Sequence, residues 1–195
     1  MNQRIEVKSV RVERIPDYDP DLSYIGTYDN KDCDGAIDRQ KRGAWERGEY
    51  RYFHSCNNER YDPRNWAHVS DREVWQALHS VPERQRERVA AAGLFARYDR
   101  DAACRLLTRC YAEQDYDRME AYNRGEWCCY GVRATAEVFV NGVRQNLRSA
   151  GLWGLDSDSE ESYFAEVEEE QMEELRDILA ALGATVPEAA QAVDA

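Results

Sequence analysis

The sequence contains no apolar stretch long enough for a membrane-spanning helix. Nowhere do about 18 apolar residues follow one another, the minimum that indicates a bilayer span. The opening residues, MNQRIEVKSVRVERIPD, alternate polar and apolar side chains and lack the apolar core of a signal peptide. We therefore expect neither a secretion signal nor a membrane anchor, and we predict a cytoplasmic protein.

The familiar catalytic and ligand-binding motifs are also missing. The chain has no G-x-S-x-G elbow, no phosphate-binding P-loop, no G-x-G-x-x-G dinucleotide motif and no H-E-x-x-H zinc motif. Its six cysteines include no C-x-x-C pair, so we expect neither structural zinc nor, in a reducing compartment, disulfides. Asp156-x-Asp158-x-Glu160 begins like a calcium loop but lacks the later glycine and glutamate. No metal or cofactor is predicted.

Histidine is scarce, with three residues in the chain. His54 and Cys56 would share one face of a strand, at a separation that is usually too long for a productive bond. A Cys–His pair would need Cys56 or another thiol within reach, and a third group to orient the imidazole.

The loop 17–30 suggests a different site near His54. Its carboxylates and phenols would perform acid–base or metal chemistry beside the histidine, although Asx turns that only fix the loop explain them as well. These residues are Asp17, Tyr18, Asp19, Asp21, Tyr24 and Tyr28. An enzyme of unrecognised class with its site here is the alternative hypothesis.

What the chain does have is a concentrated negative charge. The formal net charge is -12, and residues 151–195 hold 13 acidic residues against one basic residue, Arg176. The first 150 residues are neutral, with 25 acidic and 25 basic side chains. A concentrated anionic field attracts basic partners and repels nucleic acid and anionic lipid. The charge predicts a basic protein partner and argues against nucleic-acid or membrane binding.

A helix over about residues 159–182 carries this charge. Its apolar positions recur three and four residues apart, so they form a stripe that packs on the rest of the protein. The stripe comprises Phe164, Val167, Gln171, Leu175, Ile178, Leu179 and Leu182. The opposite face is acidic, either as a solvated surface or as a binding surface. The candidate partner-binding residues are Glu166, Glu169, Glu170, Glu173, Glu174, Trp153 and Tyr163.

Alternating apolar residues predict an α+β fold with an antiparallel sheet of about four strands, at 4–15, 48–56, 127–140 and 143–149. Asn141-Gly142 favours a type I′ hairpin turn between the last two strands. A bulge is expected near Ser9, and the first strand is expected to end at Pro16. The C-terminal helix is predicted to cover one face of this sheet.

The middle of the chain is predicted to be a helical lobe. Ser70 and Glu73 form a capping box that opens a helix. Further helices are expected at about 82–98, after Asp99, and at about 115–123. The predicted organisation is a single domain over 1–183 with a helical insertion at about 70–123, followed by a flexible tail at 184–195. Segments 45–50 and 122–127 share the pattern aromatic-x-Arg-Gly-Glu-aromatic, by convergence or as an internal repeat with two adjacent strands.

The segment 149–159, SAGLWGLDSDS, followed by Tyr163 and the acidic helix, resembles the C-terminal signature of an uncharacterised protein family. Segments 15–21, 47–53 and 122–127 extend the resemblance over most of the chain. Members occur in bacteria, phages and plasmids, and no activity is assigned to the family. The resemblance implies a mobile-element setting, where small acidic proteins often block host defences, and carries no catalytic residue across. Gly151 and Gly154 predict a sharp bend, with Trp153 plugging the junction of sheet and helix or, alternatively, stacking on a ligand.

Together these observations favour an acidic interaction protein over an enzyme. A narrower version is DNA mimicry, because the acids at 166, 170, 173 and 174 recur about every 6 Å along the helix. Against mimicry, the first 150 residues add no net negative charge. The sequence is also compatible with a homo-oligomer.

Overall fold

The computed structural model describes residues 5–33, 35–56 and 68–184. Along the chain the strands are β1 (Ile5–Asp17), β2 (Gly26–Asp29), β3 (Ile37–Asp38), β4 (Tyr52–Ser55), β5 (Cys129–Val140), β6 (Val143–Arg148) and β7 (Leu152–Asp156). The helices are α1 (Asp71–Ser80), α2 (Glu83–Ala91), α3 (Arg100–Asn123) and α4 (Glu161–Ala181). The predicted α+β class, with an antiparallel sheet and a C-terminal helix, is confirmed.

The backbone divides into two units, one of Met1–Pro20 with Trp127–Ala195 and the other of Asp21–Glu126. The single domain predicted for 1–183 stays a prediction. Of the predicted flexible tail at 184–195, Ala184 is buried in the core of the first unit, and the other residues lie outside the described ones.

The first unit contains an antiparallel sheet with β5 at its centre. β1 pairs with one side of β5, and β6 and β7 pair with the other side. The register of β1 shifts between Val7 and Ser9, which confirms the predicted bulge. Pro16 pairs with Tyr130 inside the strand instead of ending it. An edge strand tolerates proline because the missing N–H leaves no ladder partner unsatisfied.

The predicted hairpin between β5 and β6 is confirmed. Val140 lies opposite Val143, and the two residues between them have positive φ angles, 51° at Asn141 and 83° at Gly142. This is the backbone that a type I′ turn requires, and it matches the twist of the two strands.

The fourth strand of this sheet differs from the prediction. β7 occupies Leu152–Asp156, where a sharp bend was expected, and the predicted strand at 48–56 is not in this sheet. β6 pairs with β5 only from Thr135 to Val140, so the N–H and C=O groups of the first half of β5 need other partners on that side. β7 pairs with residues 129–132 and satisfies part of this edge.

Helix α4 packs on one face of the sheet, as predicted. The side chains buried on the helix are Phe164, Val167, Gln171, Leu175 and Leu179. Leu175 and Leu179 share a core with the valines and alanines of β1 and β5, while Phe164 and Val167 pack with Val132 and Leu155. Leu182 lies beyond the last turn and is half exposed. The N-cap residue of α4 is Glu160, whose side chain makes no capping hydrogen bond.

The second unit has a smaller antiparallel sheet in the order β2-β4-β3. It contains the strand predicted at 48–56, which is shortened to Tyr52–Ser55, and β2 lies within the stretch predicted to be a loop. Phe53 is fully buried here and meets the rings of Tyr28 and Tyr116 edge to face, at centroid distances of 5.3 and 5.6 Å. One alternative for segments 45–50 and 122–127 was an internal repeat whose two strands lie side by side. This alternative is wrong, because the strands that follow these segments, β4 and β5, belong to different sheets.

The helices of this unit share their own apolar core, formed by Val74, Leu78, Val81, Val89, Leu94, Ala103, Cys104, Leu107 and Cys110. The capping box of α1 is confirmed, since the Glu73 N–H donates to Ser70 Oγ and the Ser70 N–H donates to Glu73 Oε2. α2 ends earlier than predicted, two residues before Gly93 with its φ of 70°. α3 is one continuous helix where two were expected. Among the described residues, no helix has the length and apolarity of a membrane span.

Candidate protein-binding surface

Gln171 of α4 forms hydrogen bonds with the segment that connects β6 and β7. Its Oε1 atom accepts hydrogen bonds from Ser149 Oγ at 2.7 Å and from the Gly151 N–H at 3.0 Å. The Ser149 hydroxyl in turn accepts a bond of 2.9 Å from the N–H of Ala134 in β5. A polar residue therefore stands in the apolar stripe because it provides the acceptor that a buried hydroxyl and a part-buried N–H need.

Glu174, one turn further along α4, contacts the same connection. Its Oε1 atom accepts a 3.0 Å hydrogen bond from the N–H of Ala150. This candidate partner-binding carboxylate is thus engaged within the protein and helps to fix the helix.

Arg14 of β1 also contacts side chains of α4. Its guanidinium contacts Glu161 at 2.5 Å and Glu168 at 2.6 Å, and lies above the Phe164 ring at 4.4 Å from the centroid. The hydrogen bonds that Arg14 donates to Glu161 and Glu168 raise the pKa of Arg14, and the bond from Arg14 lowers the pKa of Glu161. Two further acids of the helix are therefore engaged within the protein, and the single charge of Arg14 offsets one of their two negative charges.

Four acids on the outer face of α4 differ from these engaged ones. They are Glu166, Glu169, Glu170 and Glu173, and all four are exposed. Within the part of the chain that the structure describes, none of them makes an ion pair or a side-chain hydrogen bond, although Arg176 lies only one turn from Glu173. The free negative charge of the helix is concentrated on these residues, which we call the open acidic face.

Tyr163 lies at the N-terminal end of the open acidic face. It precedes Glu166 by three residues and Glu170 by seven, so the three side chains share one side of the helix. Tyr163 is 45% exposed. The structure thus brings this predicted residue together with the acids.

Trp153 lies elsewhere. A Cβ atom on Gly131 would come within 2.2 Å of the Trp153 ring, so the indole covers this glycine. Gly131 and Val132 point to opposite faces of β5, and Val132 packs against α4. Trp153 is therefore on the face of the sheet that α4 does not cover. It is 46% exposed, and the expected plug between sheet and helix is wrong.

The loop 17–30 is fixed largely by its own carboxylates. Asp17 Oδ1 accepts from the Asp19 N–H, and Asp21 Oδ1 accepts from the Ser23 N–H at 2.9 Å, which are Asx-turn contacts. Tyr28 donates its hydroxyl hydrogen to Glu120 at 2.7 Å, and burial together with this carboxylate raises the pKa of Tyr28. These contacts support a structural role for the loop.

The imidazole of His54 has a different thiol neighbour from the one considered in the sequence. Its Nδ1 atom lies 3.1 Å from Sγ of Cys33, while the thiol of Cys56 donates to the carbonyl of Tyr24. The Nε2 atom of His54 is buried and has no hydrogen-bond partner in the described structure. Sequence spacing gives no sign of this pair, because 21 residues separate Cys33 and His54 and pairing within the β2-β4-β3 sheet brings them together.

Among the described residues, no group of three or more His, Cys, Asp or Glu side chains is arranged to hold a metal ion. Comparison of the chain with models of known protein families, with curated proteins and with solved structures finds no match. The family resemblance seen in the sequence therefore stays a prediction, and the geometry of the surfaces has to support any proposed function.

Proposed function

We propose that the protein binds a basic segment of a partner protein through the open acidic face of α4. The observation that supports this most is that four clustered carboxylates stay without partners, while Glu161, Glu168 and Glu174 of the same helix are engaged within the protein. Glu166 and Glu170, and likewise Glu169 and Glu173, are like charges at i,i+4, which destabilise a helix by about 0.2–0.5 kcal/mol per pair. A basic partner would convert this repulsion into attraction.

The length of the open acidic face indicates how large a basic segment it can bind. Glu166 and Glu173 are seven residues apart, which corresponds to about 10 Å along a helix. One turn of a DNA duplex measures about 34 Å, so these charges are too few and too closely grouped to imitate DNA. Two or three lysines or arginines on one short segment would suffice, with Tyr163 available to contact their aliphatic stems. A second copy of the chain would bring like charges together on this face.

The resemblance in the sequence adds a setting to this proposal. If the chain comes from a phage or plasmid, its basic partner belongs to the host, and a defence protein is one such target. The surface chemistry itself requires only exposed positive charge on the partner.

Capture of partners from a bacterial lysate tests the proposal. The bait is the full chain, compared with a variant carrying Glu166→Gln, Glu169→Gln, Glu170→Gln and Glu173→Gln. Carbodiimide cross-linking joins carboxylates to lysine amines, so mass spectrometry reports both the partner and the glutamate that touches it. We expect partner lysines to be linked to the open acidic face, and capture to fall by about tenfold or more when its charges are removed.

A matched control removes four exposed acids from other surfaces, through Glu6→Gln, Glu83→Gln, Glu87→Gln and Asp101→Asn. This variant has the same net charge as the first and should retain the partner. Equal loss in both variants would mean that overall charge, not this face, drives capture. Cross-links confined to other glutamates would also contradict the proposal.

A second candidate function is thiol chemistry at Cys33, favoured by the 3.1 Å distance between its Sγ and His54 Nδ1. An adjacent imidazole accepts the thiol proton and activates the sulfur as a nucleophile. We expect Cys33 to be alkylated by iodoacetamide faster than Cys128, which is also exposed, and His54→Ala to remove the difference. Equal alkylation rates in the wild-type protein would exclude this candidate.

A further inference from the structure

The second unit contains a small pocket whose walls are mainly arginine. It has a volume of about 180 Å³ and is lined by Arg42, Arg84, Gln85, Arg88 and Glu113. Arg42 closes a short 3₁₀ turn at Gln40–Arg42, the next three residues lie on α2, and Glu113 lies on α3. Two elements therefore supply positive charge to the cavity, and a third, α3, supplies a carboxylate.

Glu113 organises these arginines. Its side chain is only 8% exposed, and its Oε1 atom lies 3.0 Å from Arg42 Nη2 and 3.1 Å from Arg109 Nε. The other oxygen, Oε2, lies 2.5 Å from Arg88 Nη1. A single buried carboxylate thus holds three guanidinium groups close together and neutralises only one of them.

Counting Arg109, which contacts Glu113 but does not line the pocket, the four arginines of this cluster exceed its two carboxylates, Glu113 and Asp117, by two charges. Arg84 pairs with Asp117, which leaves the balance around Glu113 unchanged. Like charges repel at this distance, so a site with such an excess favours an additional anion. The excess is notable in a chain whose net charge is -12.

The pocket is also rigid and retains hydrogen-bond donors. Gln85 is buried, and its amide donates to the carbonyl of Cys110 at 3.0 Å and accepts from Gln114 at 3.1 Å. The guanidinium of Arg42 lies 5.1 Å from the centroid of the Tyr116 ring, which restricts its orientation. Each guanidinium has five N–H donors, and the contacts with Glu113 use only part of them.

We propose that this pocket binds a phosphate group, either inorganic phosphate or the phosphoryl group of a small phosphomonoester. The doubly charged tetrahedral oxyanion matches the excess of two positive charges, and arginine forks suit its oxygens. Ligand pockets for larger molecules occupy about 300–1,000 Å³, so this cavity accommodates the phosphate and little more. The site is independent of the open acidic face.

Isothermal titration calorimetry on the full chain at low salt tests the assignment with inorganic phosphate, glycerol 3-phosphate and acetate as probes. Three variants each remove one positive charge: Arg88→Gln, Arg84→Gln and the control Arg105→Gln. Arg105 is exposed on α3, one turn before Arg109. Arg84→Gln leaves all contacts of Glu113 in place, so it keeps the test valid even if Arg88→Gln fails to fold.

We expect saturable binding of one phosphate, about tenfold weaker in Arg88→Gln and Arg84→Gln and within about twofold of the wild type in Arg105→Gln. Tighter binding of glycerol 3-phosphate than of phosphate would identify a phosphomonoester as the ligand, and the reverse order would identify inorganic phosphate. The absence of saturable binding by both would overturn the proposal. So would acetate binding as tightly as phosphate, or equal weakening by Arg105→Gln.

Discussion

Replacing Gln171 with leucine tests how α4 is attached to the sheet. Leucine is similar in size but has no acceptor for the Ser149 hydroxyl and the Gly151 N–H, which donate to Gln171 at 2.7 and 3.0 Å. Each buried donor left without a partner costs about 1–3 kcal/mol. The additional apolar surface that leucine buries stabilises the folded state by about 1–2 kcal/mol. The two donors together cost about 2–6 kcal/mol, so we expect Gln171→Leu to reduce the free energy of unfolding by about 0–5 kcal/mol, with a central value of about 2.5 kcal/mol.

Urea denaturation followed by circular dichroism measures this loss. The matched control is Gln76→Leu, the same substitution at an exposed position of α1, which should change the free energy of unfolding by less than about 0.5 kcal/mol. Ser149→Ala removes the partner hydroxyl, so a double-mutant cycle with Gln171→Leu should show coupling of about 0.5–3 kcal/mol. An increased stability in Gln171→Leu, or purely additive effects in the cycle, would refute the role assigned to these hydrogen bonds.

Three further predictions concern the core, one carboxylate and the thiols. Leu175→Ala leaves a cavity at a fully buried position and should reduce the free energy of unfolding, measured by urea denaturation, by about 2–5 kcal/mol. The control Leu182→Ala, at a half-exposed position, should reduce it by less than about 1 kcal/mol. Hydrogen bonds from Arg51 lower the pKa of Asp38 from 3.8 to about 2, so this carboxyl contributes stability above its unfolded pKa that is lost as the pH falls through about 2. In an NMR titration Arg51→Gln should return the Asp38 pKa toward 3.8, and an unchanged value would contradict the assignment. The exposed thiols should react rapidly with Ellman's reagent, and these are Cys33, Cys56 and Cys128. The buried thiols should react slowly, and these are Cys104, Cys110 and Cys129. Burial also raises the pKa of Cys104 and Cys110, which leaves less reactive thiolate. More than three rapidly reacting thiols in the folded protein would contradict this burial pattern.

Elements specified by neighbouring residues were predictable from the sequence. The hairpin follows from Asn141-Gly142, because these residues tolerate the positive φ angles of a type I′ turn. The capping box at Ser70 and Glu73 likewise depends on residues three apart. Helix α4 was predictable because its apolar stripe is long and periodic, and the acidic surface opposite it follows from the same periodicity.

The same periodicity did not reveal which acids are free. Glu161, Glu168 and Glu174 resemble Glu166 and Glu170 in the sequence, yet the first three contact Arg14 or the backbone of Ala150. Those partners lie far away along the chain, so only the packing of α4 on the sheet separates the engaged acids from the open acidic face.

Charge distribution, the absence of familiar motifs, the α+β class and the local turns and caps were determined by the sequence itself, because each depends on composition or on residues within a few positions. The tertiary structure decided which sheet each strand joins, since β7 pairs where β6 leaves the edge of β5 uncovered. It also brought Cys33 to His54 and gathered arginines around Glu113. The contacts of Arg42 and Arg88 with Glu113 join residues 71 and 25 positions apart, so no local periodicity encodes them, whereas Arg109 lies one turn before Glu113 on the same helix. Their positions follow from backbone hydrogen bonding and from the partners that a buried carboxylate requires.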